Sequence, residues 1–394
     1  MNSRLQQEHN RALVLASGIA SLILTLGIAR FGYTPLLPVM QNQTWLNDLY
    51  GGWLATSNYT GYICGAIVAS LVSDLKTKDL LYRIGLVLAV LTTLGMGLTE
   101  DMMVWAIMRF IAGLSSAAGV LIGSGLLLNW LIRHHHHSEL GIHFSGIGLG
   151  IVLVSASVWF MNQYLAWDAQ WAILGFIGLL LMIPAWLWLP PPDTSGMTKT
   201  GQAMTDTPPE KQFMILIFIA YLCAGFGYVV SATFIVDMIE SINALRGTGE
   251  LAFLVIGIAA TPACIIWDLI ARKTGVISAL LYAYVLNIIG IILPALSDSF
   301  MLVLLGSVLF GGTFIGIVSL VLTMAGRFYP TKPAKLMGKL TIAYGIAQII
   351  GPAIAGYIAE TTGSYLGALY LACGFMVLGS IMLLKLKSTA YSAL

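Results

Sequence analysis

The chain has 394 residues, of which 58% are hydrophobic and only 9% charged, with a formal net charge of +2 and a mean hydropathy of +0.88. Soluble domains carry about 25% charged residues, so this composition excludes a soluble enzyme, a disulfide scaffold and a nucleic-acid-binding domain. The small net charge points to no polyanionic partner, and the informative quantity is where the charges lie.

From the N-terminus, Met1 to Arg11 is polar and an apolar run then starts at Ala12. No small-residue cleavage site follows it, which predicts a retained first span and not a secretory signal. Apolar runs between charges predict twelve spans, at 12–39, 50–72, 80–98, 103–131, 140–164, 169–189, 212–238, 250–270, 276–296, 300–326, 337–359 and 364–384. A bilayer span takes about 20 apolar residues, and runs this long without alternation are not barrel strands. Hydrocarbon leaves no backbone group unsatisfied, so each run is predicted to be a helix and the chain an all-α membrane protein. Cys64, Cys223, Cys264 and Cys373 fall inside these runs without paired spacing and read as small buried hydrophobes.

Of the 19 Lys and Arg residues, Arg30 and Arg109 lie deep inside spans and Arg246 lies on one side of the membrane; every other one falls in connections, or at the span ends that adjoin them, on the opposite side. By the positive-inside rule that side is the cytoplasm, and both termini are predicted to face it. The longest connection, 190–211, opens with Pro190-Pro191-Pro192 and has the composition of a flexible cytoplasmic linker. It divides the chain into an N-terminal six-helix half, 1–189, and a C-terminal half, 212–394. Phe31-Gly32-Tyr33 in span 1 recurs 195 residues later as Phe226-Gly227-Tyr228 in span 7. Asp74 after span 2 recurs 194 residues later as Asp268 at the end of span 8. Two nearly equal offsets mark a duplicated six-span unit, an architecture that in transporters puts the solute site at the midplane between the halves.

Over nearly its whole length the chain resembles the major facilitator superfamily. Asp268-Leu269-Ile270-Ala271-Arg272-Lys273-Thr274-Gly275 looks like its cytoplasmic acidic-basic-glycine signature, whose first-half counterpart keeps Asp74, Lys76 and Lys78 but has Ser70 for the usual glycine. Arg109-Phe110-Ile111-Ala112-Gly113 resembles its span-4 motif, and Gly146, Gly148 and Gly150 with Gly351-Pro352 and Gly356 resemble its close-packing glycines. Gly27-Ile28-Ala29-Arg30-Phe31-Gly32-Tyr33-Thr34-Pro35-Leu36-Leu37-Pro38 and His143-Phe144-Ser145-Gly146 look like the YbfB/YjiJ-like branch. The resemblance implies two pseudo-symmetric halves, no cofactor and, as the family default, proton coupling.

With a helical rise of about 1.5 Å per residue, Arg30 lies about 5–6 Å past the bilayer centre, where an arginine costs about 2.5–3.5 kcal/mol to insert. It reads as a contact to solute or to a gating partner, or as a buried arginine bonded to carbonyls. Tyr33 and Thr34, one turn on, share its face. Arg109 falls about 12 Å to the outer side; the family likeness implies a part in coupling or in the cavity, the alternative being a pair with Glu100 or Asp101. Asp237, about 17 Å outward in span 7, is an acidic candidate for closing the outer end. Asn58, Tyr59 and Tyr62 in span 2, Ser155 in span 5, Thr261 in span 8, Thr313 in span 10, and Tyr344 and Gln348 in span 11 lie near the midplane. With Tyr228 they are candidates to touch solute, or to bond helix to helix. Asn287 reads as structural.

His143, at the inner end of span 5, joins Arg109, Asp237, Asp74, Asp268 and Arg272 as a coupling or gating candidate. The tract His134 to His137 reads as a loop and not a native metal site, since successive imidazoles cannot face one ion.

The expectation is a secondary transporter of the bacterial inner membrane, working by alternating access as a monomer, with a small solute and the bilayer as partners, no metal and no enzymatic activity. Two intramembrane arginines against one peripheral aspartate favour an anionic solute. The alternatives are an efflux pump for lipophilic compounds and a non-transporting receptor.

Overall fold

The computed structural model describes the backbone of residues 2–136, 140–241, 248–296, 299–362 and 364–388. α1 (Asn2–Leu22) passes into a π-helical stretch, Ile23–Phe31, and then into α2 (Tyr33–Gln43). α3 (Asp48–Leu71), α4 (Leu75–Met96) and α5 (Met102–Ala117) follow; a second π-helical stretch, Ala118–Gly123, joins α5 to α6 (Ser124–Arg133). Then come α7 (Gly141–Met161), α8 (Trp167–Leu187), α9 (Lys211–Ser241), α10 (Gly249–Thr274), α11 (Val276–Leu296), α12 (Phe300–Phe328), α13 (Ala334–Thr362) and α14 (Leu366–Ser388). Counted as continuous rods, these are twelve, in the order of the twelve apolar runs. Ten of them are long and apolar enough to cross a membrane among the described residues.

Local chemistry explains where rods begin. Asn47, Asp74 and Asp101 each precede a helix, and their side chains accept from the backbone N–H three residues on, at Tyr50, Thr77 and Val104, satisfying donors that a helix start leaves open. What the rods present outward is apolar: on α8, Ile173, Phe176, Leu180, Ile183 and Leu187 are all exposed at steps of three and four residues. In water such a stripe would drive association; in hydrocarbon it is the face a rod should show.

The chain forms two compact units, Met1–Pro208 with Thr323–Lys339, and Pro209–Leu322 with Leu340–Leu394. In the first, glycines let rods touch backbone to backbone. A Cβ on Gly61 would lie 2.0 Å from the Phe110 carbonyl oxygen, and one on Gly113 2.0 Å from that of Asn58, which presses α3 against α5. In the second, a Cβ on Gly290 would meet the Phe310 nitrogen at 2.7 Å, and Tyr284 donates from α11 to the Ala220 carbonyl on α9 at 2.8 Å.

Residues 190–208, whose composition is that of a linker, carry ordered contacts. Met197 and Ala203 form an isolated bridge around a turn in which Gly201 has φ +79°. Arg133, at the end of α6, donates to Ser195 Oγ at 3.1 Å, to the Met197 carbonyl at 2.8 Å and to the Ser195 carbonyl, with Asp193 at 3.4 Å. Farther along, Asp206 accepts from Thr331. Composition could not foretell this, because the donors come from other parts of the chain.

Candidate functional site

Arg30 lies in the last turn of the π-helical stretch of the first rod. A π turn spaces its hydrogen bonds one residue wider than an α turn, and such turns cluster at functional sites. The Arg30 side chain is 6% exposed. Its guanidinium carbon lies 4.6 Å from the ring centre of Tyr62 and 5.0 Å from that of Tyr59, with Phe31 at 5.8 Å. Aromatic faces attract a cation when water is excluded. Tyr59 and Tyr62, at i and i+3 on α3, share one helical face and supply it.

The wide turn is held from α5. Arg109 Nη1 donates to the Ala29 carbonyl at 3.0 Å and Nη2 to the Arg30 carbonyl at 3.4 Å. One turn earlier in the stretch, Ser116 donates to the Thr25 carbonyl at 2.8 Å. The Arg109 guanidinium also lies 4.4 Å from the ring centre of Tyr33, whose hydroxyl donates to the Gly51 carbonyl at the start of α3. Asn58 donates to the Arg109 carbonyl at 2.9 Å. Thus Arg30, Tyr59 and Tyr62 form one cluster, and Arg109, Tyr33 and Asn58 form its support. Thr34 is half-buried at the start of α2. Asp101, offered by sequence as a partner for Arg109, caps α5.

The remaining first-unit candidates lie elsewhere. His143 is fully buried on α7, its Nε2 at 2.7 Å from Ser124 Oγ, and a Cβ on Gly18 would lie 2.4 Å from its Nδ1. Asp74 is the N-cap of α4 and accepts from Thr77 through N–H and hydroxyl at 2.7 and 2.6 Å. Those bonds hold its carboxyl below the usual carboxylate range. Ser155 is spent on its own helix, donating to the Ile151 carbonyl. In the histidine tract, His134 stacks on Trp130 at 4.0 Å, His136 stacks on the same ring, and His135 meets Thr200 at 2.7 Å. His137 lies outside the described residues.

In the second unit, Tyr228 and Tyr344 come together with ring centres 5.6 Å apart. Tyr221 lies 4.7 Å from Tyr344, and Phe314 lies 5.3 Å from Tyr228, which makes a run of four rings. Gln348, one turn beyond Tyr344, is buried with its Oε1 unpartnered. Thr313 stands in another relationship: Asn287 donates to its hydroxyl at 2.7 Å, which joins α11 to α12. Thr261 donates to Gly257 on its own helix. Asp268 is buried at the end of α10, Arg272 is exposed one turn on, and Gly275 ends the helix with φ +84°. A glycine is needed there because other residues avoid that backbone region. Asp237 lies on α9, and its side chain is outside what the structure describes.

Sequence reading did not single out Tyr221 or Phe314. Tyr221 precedes Tyr228 by seven residues, two helical turns on one face, and that spacing was the available signal.

Residues 22–384 match the family described as "Uncharacterised MFS-type transporter YbfB". Among curated proteins, monocarboxylate transporter 12 of Rattus norvegicus is 25% identical over 288 residues, covering 62% of this chain and 58% of that protein. The MFS-type transporter YceJ of Bacillus subtilis (strain 168) is 28% identical over 97 residues, 25% of each chain. The chain therefore spans less than two thirds of these relatives' lengths. A crystal structure of the nucleoside transporter NupG superposes with a TM-score of 0.68 over 95% of this chain and 99% of that one, at 13% identity, a likeness of fold alone. The all-helical fold, the apolar rods and the match over most of the chain agree: this multi-pass membrane protein belongs to the YbfB-type family of the major facilitator superfamily.

Proposed function

We propose that the protein is a secondary transporter that moves a small organic solute bearing a carboxylate, with the Arg30 guanidinium recognising that group. The observation that carries this reading is the placement of Arg30: a buried cation on a π turn, its guanidinium carbon over the rings of Tyr59 and Tyr62. A guanidinium is a planar fork of N–H donors matched to a carboxylate, and contact with aromatic rings is compatible with that use. The name of the rat relative, a monocarboxylate transporter, supports the same solute class.

Transport proceeds by alternating access and is driven by a gradient, with protons as the coupling ion by family analogy. The lopsided distribution of Lys and Arg supports a bacterial inner-membrane location with both termini cytoplasmic. The run of Tyr221, Tyr344, Tyr228 and Phe314 favours a second reading, transport of aromatic or lipophilic compounds. Counterflow of labelled small monocarboxylates into proteoliposomes tests the choice. Accumulation that competing unlabelled monocarboxylates abolish supports the first reading; accumulation only of lipophilic compounds, indifferent to carboxylates, replaces it with the second.

A further inference from the structure

Lys78 stands in the first turn of α4 with its side chain 1% exposed and no hydrogen-bond partner on Nζ. Burying an unpaired ammonium is expensive, and lysines are almost never fully buried alone. Here its surroundings add to the cost. Lys332 and Lys335 lie close enough to act on the same amine by charge repulsion. Both are half-buried, on the connection after α12 and in the first turn of α13.

Contacts at backbone level bring these pieces together. A Cβ on Gly338 would lie 2.7 Å from the Ala66 carbonyl oxygen and 2.9 Å from the Ser70 nitrogen, so the opening turns of α13 rest on the end of α3 just before α4 begins. The nearby acids have other partners. Asp79 pairs with Arg83 at 3.0 Å, Asp74 is engaged by Thr77, and Asp206 accepts from Thr331. Among the described residues no carboxylate lies within ion-pair distance of the three lysines.

The lysines also occupy positions where the helix dipole disfavours them. Lys78 stands in the first turn of α4, whose N-terminus is already capped by Asp74, and Lys335 in the first turn of α13, which has no acidic residue there. Helix N-termini stabilise anions and repel cations. Three cations, one of them buried and unpartnered, beside the N-terminus of α13 form an arrangement that an anion would complete.

We propose that Lys78, Lys332 and Lys335 form a binding site for a phosphate group, held by ammonium charge and the N-terminus of α13. Inorganic phosphate and the phosphodiester headgroup of an anionic lipid present the same oxygen chemistry. A ligand here would tie the start of α4 to the connection between α12 and α13. The site is separate from the Arg30 cluster and does not depend on the solute assigned to it.

The test is thermal unfolding of the purified full chain in neutral detergent. One arm titrates sodium phosphate against sodium chloride at matched ionic strength. A second compares phosphatidylcholine micelles with the same micelles containing phosphatidylglycerol. A Tm rise of about 2 °C or more with phosphate over chloride assigns the site to the free ion; a rise confined to phosphatidylglycerol assigns it to the headgroup. Lys78→Met is expected to unfold no earlier than wild type without ligand, because it removes an unpaired buried charge, and to lose the response. Should that variant fail to fold, the double variant Lys332→Ala, Lys335→Ala is expected to raise the half-saturating concentration at least about tenfold, since it removes two of the three charges. No response to either probe beyond its control, or a full response in the variants, overturns the proposal.

Discussion

Arg109 on α5 donates to the Ala29 carbonyl at 3.0 Å while its second terminal nitrogen reaches the Arg30 carbonyl at 3.4 Å. One guanidinium therefore caps two oxygens of the wide turn that carries Arg30. A lysine has a single ammonium and cannot repeat the fork. Arg109→Lys is expected to orphan one buried carbonyl, at about 1–3 kcal/mol, and to weaken solute binding by loosening the Arg30 turn. Tm and ligand affinity measured on the same preparation check this. A variant with wild-type values in both would mean that the fork does not hold the turn.

Gly27 and Gly150 meet where the first rod crosses α7. A Cβ on Gly27 would lie 2.5 Å from the Gly150 Cα, and one on Gly150 2.6 Å from the Gly27 Cα. Both obstacles are backbone, so the rods must part. Gly150→Ala is expected to destabilise by about 1–3 kcal/mol. Gly52→Ala, with nothing within 4 Å of the added Cβ, is the control and is expected to stay within about 0.5 kcal/mol of wild type. Equal Tm losses in the two variants would contradict the crossing geometry.

Thr313 accepts from Asn287, which gives this pair a helix-joining role. Thr313→Val and Asn287→Leu are each expected to lower Tm, and the double-mutant cycle to show a coupling of about 0.6 kcal/mol, the usual size for such bonds in lipid. Solute affinity is expected to stay unchanged in Thr313→Val. A loss of affinity without a loss of stability would return Thr313 to the solute site.

Asp74 bears on acid stability. Bonds from Thr77 hold its folded pKa below the unfolded value, so the cap stabilises above the unfolded pKa, about 3.9, and its contribution is lost as pH falls through the lower folded value. The Tm gap between wild type and Asp74→Ala is expected to be full at neutral pH and to close below about pH 4. A gap that closes near pH 6 would point to another titrating group.

The twelve rods were legible because lipid forbids unsatisfied backbone and penalises charge, and both leave marks in composition. The glycine ladder was legible for a similar reason: Gly146 packs on the Ile19 backbone and Gly150 on Gly27. The π stretches were not, since a shift of one residue in hydrogen-bond spacing changes neither hydropathy nor charge. Without them, Arg109 could be matched only to charges at its own depth, and its actual partners, the carbonyls of Ala29 and Arg30, carry no sequence signal. Depth arithmetic did bring Tyr59 and Tyr62 to one level in α3, but it could not tell which arginine they would hold.

The most direct test of the central claim compares small monocarboxylates with their neutral carboxamides in thermal stabilisation of the wild type and of Arg30→Gln. The carboxylates are expected to raise the wild-type Tm in proportion to the logarithm of concentration, their amides to have no effect, and the variant to respond to neither while folding normally. Stabilisation by carboxylates that survives in Arg30→Gln would contradict the assignment of Arg30 as the group that recognises the solute.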